Sequence, residues 1–183
     1  SGCPEEDEPV AAPGAFMWSD PAAWESGSVP VAGEDVTIPP SRTIVLDTTT
    51  ALLQSLHVWG ELTFKDGLDD ELVLHSYAVV VKSAGKLSVG TADAPYTGRA
   101  AVELHGEYDD ESLLPISGRV APGLKHLAAV DGGTIEMYGR NVATRWLKTS
   151  DLSLTPGSIS VTLTEPVEWI AGDKVVITST SWN

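Results

Sequence analysis

The sequence has one cysteine, two phenylalanines and 11 basic residues against 26 acidic ones. A lone cysteine, Cys3, cannot form an internal disulfide, so no disulfide within this chain stabilises its fold. The formal net charge of −15 at pH 7 excludes the basic surface expected of a nucleic-acid-binding protein and disfavours binding to anionic membranes. A polyanionic partner would need a local basic patch or bridging cations.

Long apolar runs and the common catalytic signatures are also missing. No run approaches the ~20 residues of a membrane helix, so no transmembrane segment is predicted in this chain. There is no GxSxG elbow, Walker loop, HExxH or CxxC motif. The 183 residues, of which 42% are hydrophobic, are enough for one domain with a sizeable core and too few to argue for two.

Residues 1–15 have the composition of an acidic disordered tail, because the run EEDE stands among prolines. We expect residues 16–183 to form a single β domain after this tail. Within the tail, Ser1-Gly2-Cys3 before an acidic spacer resembles the end of a bacterial lipobox, which predicts lipidation of Cys3 and membrane anchoring as a bacterial lipoprotein. The alternative is an idle surface thiol beside a cloning scar.

Short segments of alternating apolar and polar residues fill the rest of the chain, separated by glycine and proline, and this pattern is typical of half-buried strands. Only Ala143 to Lys148 could form a helical turn. Two all-β architectures fit: an antiparallel β-sandwich or barrel, and a right-handed parallel β-helix of short strands. The predicted strands are 36–38, 43–46, 52–64, 71–81, 86–89, 100–105, 124–130, 134–138, 158–163 and 174–178.

Three of these segments share one pattern, in which apolar alternation leads to a glycine and then to Leu or Ile. They are LHVWGELTF, VVVKSAGKLSVG and HLAAVDGGTIEMYG, with the glycines Gly60, Gly85 and Gly133. The glycines are separated by about 25 and about 48 residues, intervals that stacked coils produce. The repetition favours the β-helix, with each glycine where stacked backbones leave no room for a Cβ. If φ is positive at Gly133, replacement by valine should cost several kcal/mol through backbone strain.

An ordered set of motifs extends over residues 17 to 180: WSDPAAW, VTIP, LHVWGELTF, KLSVGTADAPYTGRAAVELHG, LKHLAAVDGGTIEMYG, the following Trp146, and WIAGDKVVITST. In this order they resemble the G-eight domain, an extracellular module named for its eight glycines. The resemblance implies a β-helical fold and an extracellular or cell-surface location. Such domains occur in the cell migration-inducing hyaluronan-binding protein, its transmembrane relative, fibrocystin-type proteins and bacterial surface proteins.

Aromatic and basic residues supply the candidate ligand-binding positions. Tryptophan faces stack well on flat sugar surfaces, but Trp18 and Trp24 lie where an N-terminal cap must cover the first coil of a β-helix. The scarce basic residues cluster around one tryptophan, where they could meet an acidic sugar or could pair with the chain's own acids. The predicted ligand-binding residues are Trp146, Arg140, Arg145, Lys148 and Tyr96.

Two acidic loops could supply oxygen ligands for calcium, which needs six to eight of them. Loop acids are more often only solvated, and the first loop lacks a full EF-hand spacing. Among the histidines, His105 is the strongest candidate for catalysis because Glu103 and one acidic loop are near in sequence, and paired carboxylates are the minimum for a glycosidase. The candidate calcium ligands are Asp66, Asp69 and Asp70 in the first loop and Asp109, Asp110 and Glu111 in the second.

Three functions remain open. The first, which we favour, is a non-catalytic module of a larger extracellular protein that binds a polysaccharide or a cell-surface protein. The second is an enzyme, or part of one, that degrades hyaluronan or a similar polysaccharide, as the family resemblance allows. The third is a purely structural surface domain. No residue motif in the sequence assigns a catalytic residue.

Overall fold

The computed structural model describes residues 14–67, 70–107, 125–150 and 157–178. The chain divides into two compact units, the first ending at Arg140 and the second beginning at Asn141. The described part of the first unit is built from strands and a single 3-10 turn, which confirms the all-β class. Its elements are β1 (Gly14–Met17), the 3-10 turn (Pro21–Ala23), β2 (Asp35–Ile38), β3 (Arg42–Leu46), β4 (Leu53–Val58), β5 (Glu61–Phe64), β6 (Leu72–Lys82), β7 (Lys86–Val89), β8 (Ala100–Leu104), β9 (His126–Val130) and β10 (Thr134–Met137).

The strands form two sheets between which the chain alternates. The first sheet has the order β1-β3-β5-β7-β10, and the second has the order β2-β4-β6-β8, with β9 also paired to β6. Each of the pairings between these strands is parallel. An antiparallel sandwich, the alternative architecture from the sequence, is therefore wrong for the strands between Gly14 and Met137.

Apolar side chains in equivalent positions stack from strand to strand along each sheet. In the first sheet Ile44 pairs with Leu62, Leu62 with Leu87, and Leu87 with Ile135. In the second sheet the same register aligns Val36, Leu56, Val79 and Leu127. All of these except Leu127 and Ile135 are buried in one core cluster, against which those two pack half-buried. Parallel register thus converts the sequence alternation into continuous apolar rows.

The three glycines of the repeated pattern occupy stacked turns from the second sheet to the first. Lys86 N donates to Gly60 O at 2.8 Å, and Thr134 N donates to Gly85 O at 3.0 Å, so each turn is bonded to the next. A Cβ on Gly85 would overlap Val58 O, and a Cβ on Gly133 would overlap Val81 O. The segment HLAAVDGGTIEMYG is therefore one turn of this stack, with its two strands in different sheets. The positive φ of this turn lies at Gly132 and not at Gly133, so the strain considered for valine at Gly133 does not arise from φ. Gly133 is required by close backbone approach instead.

The long strand β6 explains why the second glycine interval is about twice the first. Its first half, from Leu72 to Ser76, pairs with β8, and its second half, from Ala78 to Lys82, pairs with β9. The segment that contains β8 therefore intervenes between one glycine turn and the next. This arrangement also places His75, on β6, directly beside Glu103, on β8.

Two tryptophans pack next to β1 at the start of the first unit. Trp18 is 1% exposed, its ring meets that of Trp24 edge-on at 4.7 Å, and Trp24 Nε1 donates to Trp18 O at 3.0 Å. Strand β1, which pairs with β3, includes Gly14 and Ala15. Composition had assigned these two residues to the acidic tail of residues 1–15, but strand β1 already begins at Gly14.

The second unit has little regular structure in its described residues. An isolated antiparallel bridge joins Thr149 to Leu163. The strands predicted at 158–163 and 174–178 are not formed, and residues 143–148, which could have made a helical turn, do not form one. Apolar residues that alternation assigned to a core are exposed instead, with Ile159 at 102% and Val176 at 87%. Among the described residues, the first segment pairs only through the isolated bridge at Leu163, and the second belongs to neither sheet.

Within the described ranges, no helix has the length and hydropathy that crossing a bilayer requires.

Candidate functional site

Two histidines and one glutamate converge on the outer face of the second sheet. His75 lies on β6 between the buried residues Leu74 and Ser76, so pleating turns its side chain away from the core. Glu103 is its register partner on β8. His105 follows the end of β8, where its N donates to Ser76 O at 3.0 Å. The fold therefore joins residues that are distant in sequence into one cluster, the His75–Glu103–His105 cluster.

The three side chains direct one potential ligand atom each to a common point. His75 Nδ1 lies 3.1 Å from His105 Nε2 and 3.2 Å from Glu103 Oε2, while His105 Nε2 and Glu103 Oε2 are 4.0 Å apart. The side chains are 25%, 54% and 36% exposed for His75, Glu103 and His105. Among the described residues, this is the group of His, Cys, Asp and Glu side chains that could hold a metal ion together.

Neighbouring residues fix the orientation of this cluster. His75 N donates to Thr50 Oγ1 at 2.8 Å, which ties β6 to the segment before β4. The rings of His75 and His105 are 5.3 Å apart, and the Tyr77 ring meets His105 edge-on at 6.4 Å. The cluster is thus supported by strand pairing below and by an aromatic ring at its side.

The carboxylate of Asp66, a predicted calcium ligand, accepts several hydrogen bonds from nearby residues. Its carboxylate accepts from Gly67 N at 2.8 Å, Thr97 N at 2.9 Å and Gly98 N at 2.9 Å, and also from Thr97 Oγ1. Desolvation by burial raises the pKa of Asp66, but the hydrogen bonds from Thr97, Gly67 and Gly98 outweigh it and lower the pKa below its usual value. These hydrogen bonds make Asp66 a clasp between its own loop and the segment at Thr97 and Gly98. Calcium binding by Asp66 stays a prediction.

The other predicted metal and lipidation positions are largely outside the described residues. Asp70 is described and exposed. Asp69, Asp109, Asp110, Glu111 and Cys3 lie outside the described residues, so calcium binding by the acidic loops and lipidation of Cys3 stay predictions.

Trp146 is the most exposed aromatic side chain among the large hydrophobic residues of the described structure, at 77%. It lines a surface groove with a volume of about 630 Å³, together with Arg145, Lys148, Thr164 and Glu165. The groove is held by backbone pairing on both sides of the Thr149 bridge, where Ser150 N donates to Thr162 O at 3.0 Å. Thr144, which also lines the groove, accepts a hydrogen bond at its O from Trp169 Nε1 at 2.8 Å.

Three of the five predicted ligand-binding residues therefore meet in this groove, and two do not. Arg140 is half-buried and belongs to the first unit. Tyr96 is 5% exposed, and its hydroxyl donates to Lys65 O at 3.0 Å. Its ring belongs to the core cluster, and burial raises the pKa of its hydroxyl. A tyrosine in this setting has no face available for stacking on a sugar.

Comparison with known proteins places the chain in a family. The sequence profile of the G8 domain matches residues 23–150. The chain belongs to the G8 domain family. The G8 match covers β2 to β10, the His75–Glu103–His105 cluster and Trp146. Two residues that line the groove, Thr164 and Glu165, lie outside the matched range.

Relatives of this G8 domain are segments of much longer proteins. It is 33% identical over 165 residues to mouse fibrocystin, which covers 88% of this chain and 4% of that protein. It is 30% identical over 163 residues to human fibrocystin-L, covering 89% of this chain and 4% of that protein. A G8 domain-containing protein of Dictyostelium discoideum is 24% identical, covering 88% of this chain and 11% of that protein. No solved structure gave a significant match.

Sequence reasoning selected His105 and Glu103 of this G8 domain but did not join them to His75. The sequence contained one usable signal, which is that His75 precedes Glu103 by about one coil interval. Strand register was needed to apply it, because a slip of one residue would turn either side chain into the core.

Proposed function

We propose that this G8 domain is a non-catalytic module of a longer extracellular protein, built as a right-handed β-helix, which binds a glycan through the groove around Trp146. The family match and the fibrocystin relatives support a role as a module of a larger extracellular protein. The observation that carries glycan binding is the exposed indole of Trp146 within a groove that also contains basic side chains.

The strand arrangement supports the β-helix. Parallel pairing between alternate strands, glycine turns bonded one to the next, and apolar rows along both sheets are the features of stacked coils. The packing of Trp18 against Trp24 next to β1 supports an N-terminal cap, because the first coil of such a stack would otherwise expose apolar surface.

The composition of the groove supports a glycan over an apolar ligand. A tryptophan face offers a large, flat surface for a sugar ring, and its polar edge tolerates water. Arg145, Lys148, Thr164 and Glu165 surround it with donors and acceptors. Since two lysine or arginine side chains face one glutamate, the groove offers a local basic excess within a chain of net charge −15. A sugar carboxylate could pair with Arg145 or Lys148.

The first experiment incubates the 183-residue chain with hyaluronan and with a panel of neutral and acidic polysaccharides, with and without calcium. Size-exclusion chromatography then reports both co-elution and polymer length. We expect intact polymer to co-elute with the protein and Trp146→Ala to reduce the affinity at least tenfold, because the main stacking surface is lost. Tyr138→Ala is the matched control, since Tyr138 is 39% exposed but does not line the groove.

Each other outcome of this experiment identifies a different function. Shortened polymer would support the second candidate, polysaccharide cleavage, for which the His75–Glu103–His105 cluster is the specific observation. Intact polymer eluting alone would contradict glycan binding and leave a protein-binding or purely structural role. Binding that survives Trp146→Ala would place the glycan elsewhere on the domain.

A further inference from the structure

We propose that His75, Glu103 and His105 form a binding site for a divalent transition-metal ion of the zinc class. The residues that line the Trp146 groove play no part in this site. The site and the proposed glycan binding can therefore be tested, and can fail, independently.

The spacing of the three ligand atoms matches a tetrahedral metal site. Zinc binds imidazole nitrogen and carboxylate oxygen at about 2.0–2.2 Å, so two ligand atoms of one tetrahedral ion are about 3.3 Å apart. Two of the three separations here are 3.1 Å and 3.2 Å. The third, 4.0 Å between His105 Nε2 and Glu103 Oε2, needs a shift of less than about 1 Å, which rotation of the half-exposed Glu103 side chain could supply.

Hydrogen bonds within the cluster provide at most one donor between His75 Nδ1, His105 Nε2 and Glu103 Oε2 when both imidazoles are neutral. When His75 Nδ1 carries the hydrogen, one donor is shared between Glu103 Oε2 and His105 Nε2, both of which accept. In the other tautomer His105 Nε2 donates to His75 Nδ1, and Glu103 Oε2 is then left at 4.0 Å from that donor, beyond hydrogen-bond distance. A cation at the point of convergence would satisfy all three lone pairs together.

The donor set selects the class of ion. Two imidazole nitrogens and one carboxylate oxygen suit zinc and its neighbours, whereas calcium requires six to eight oxygen ligands. Three protein ligands leave a fourth position for water or for an external ligand, which is the composition of an open site. Strand pairing fixes the backbones of two of the ligands in register, so binding need not order the backbone at His75 and Glu103.

Isothermal titration calorimetry with zinc tests the site on the full chain carrying Cys3→Ser. The substitution is needed because a free thiol can bind zinc and would add a second binding event. We expect one ion per chain, and at least a tenfold loss of affinity in Glu103→Gln and in His105→Gln, since even changes beyond the direct ligands cost tenfold or more. His57→Gln is the matched control, because His57 lies on β4 outside the cluster. Calcium and magnesium should not compete.

A second measurement does not depend on any variant at these positions. Nitrogen NMR of the histidine rings should show that zinc shifts Nδ1 of His75 and Nε2 of His105, and leaves the rings of His57 and His126 unchanged. The proposal is overturned if no stoichiometric zinc binding is found, if both glutamine variants bind zinc as tightly as the parent chain, or if other ring nitrogens shift instead.

Discussion

At the scale of single residues, the turn glycines carry the tightest constraint in the fold. Gly85 has a backbone conformation that other residues could adopt, yet its missing side chain lets the turn approach Val58 O and Lys82 O. The constraint comes from these neighbouring main-chain carbonyls and not from the φ of Gly85 itself. The sequence reveals this position because the same pattern recurs, but a glycine in a sequence does not show whether close approach or a positive φ requires it.

Replacement of Gly85 by alanine should therefore destabilise the first unit. We expect a loss of at least about 2 kcal/mol, because main-chain carbonyls on two strands would have to move to accommodate the methyl group. Gly139→Ala is the control, since open space surrounds that position. Thermal unfolding followed by circular dichroism measures both, and equal melting temperatures for the two variants would contradict the close approach.

The Asp66 clasp predicts a pH-dependent contribution to stability. Because the pKa of Asp66 in the folded protein is lowered below its usual value, the carboxylate stabilises the fold above about pH 4, the ordinary range of an aspartate pKa. This contribution is lost as the pH falls through the folded pKa. Asp66→Asn should cost about 1 kcal/mol at pH 7, the worth of a hydrogen bond to a solvated carboxylate. The difference from the parent chain should shrink below about pH 3.8.

Denaturant unfolding at several pH values measures this effect. Asp93→Asn is the control, because Asp93 is also an exposed acid, and most surface substitutions change stability by less than about 0.5 kcal/mol. A gap between Asp66→Asn and the parent chain that stays constant from pH 7 to pH 3 would show that the carboxylate charge is not what holds the loop.

At the scale of elements, alternation in the sequence was enough to find most strands and not enough to find their partners. Strands β2 to β10 coincide with predicted segments, with 52–64 split into β4 and β5 at the Trp59-Gly60 turn. β1 was missed because Gly14–Met17 begins beside the acidic tail. The segments 158–163 and 174–178 also alternate but form no strand. Alternation indicates which side chains would share one face of a strand, but it does not show whether a partner strand lies beside the segment.

Burial differs between interior and outer strands, which predicts a gradient of stability across the first sheet. β5 and β7 are hydrogen-bonded on both sides, whereas β10 ends the order of the sheet, with Met137 52% exposed. Hydrogen exchange measured by mass spectrometry should therefore be slower for peptides from β5 and β7 than for peptides from β10. Equal protection of β10 would mean that another segment covers its outer edge.

At the scale of the whole molecule, the family resemblance favoured one all-β architecture over the other, which composition alone could not do. Charge, hydropathy and periodicity left a sandwich and a β-helix open, and the ordered motifs favoured the second, whose parallel pairing the structure has. The division at Arg140 was not predicted from the sequence. The described residues of the two units differ in regular structure, with strands in the first and mainly irregular backbone in the second.

Because of the parallel register of the two sheets, outward positions can change without altering the residues that form the core. Inward positions are committed to the apolar rows, but outward positions one coil apart, such as His75 and Glu103, become neighbours in space without touching the core. Two point mutations at that spacing are enough to create or remove a pair of side chains able to act together. Members of such a family can therefore diverge in chemistry while keeping one scaffold, and their functional positions are best compared along columns of the coil stack.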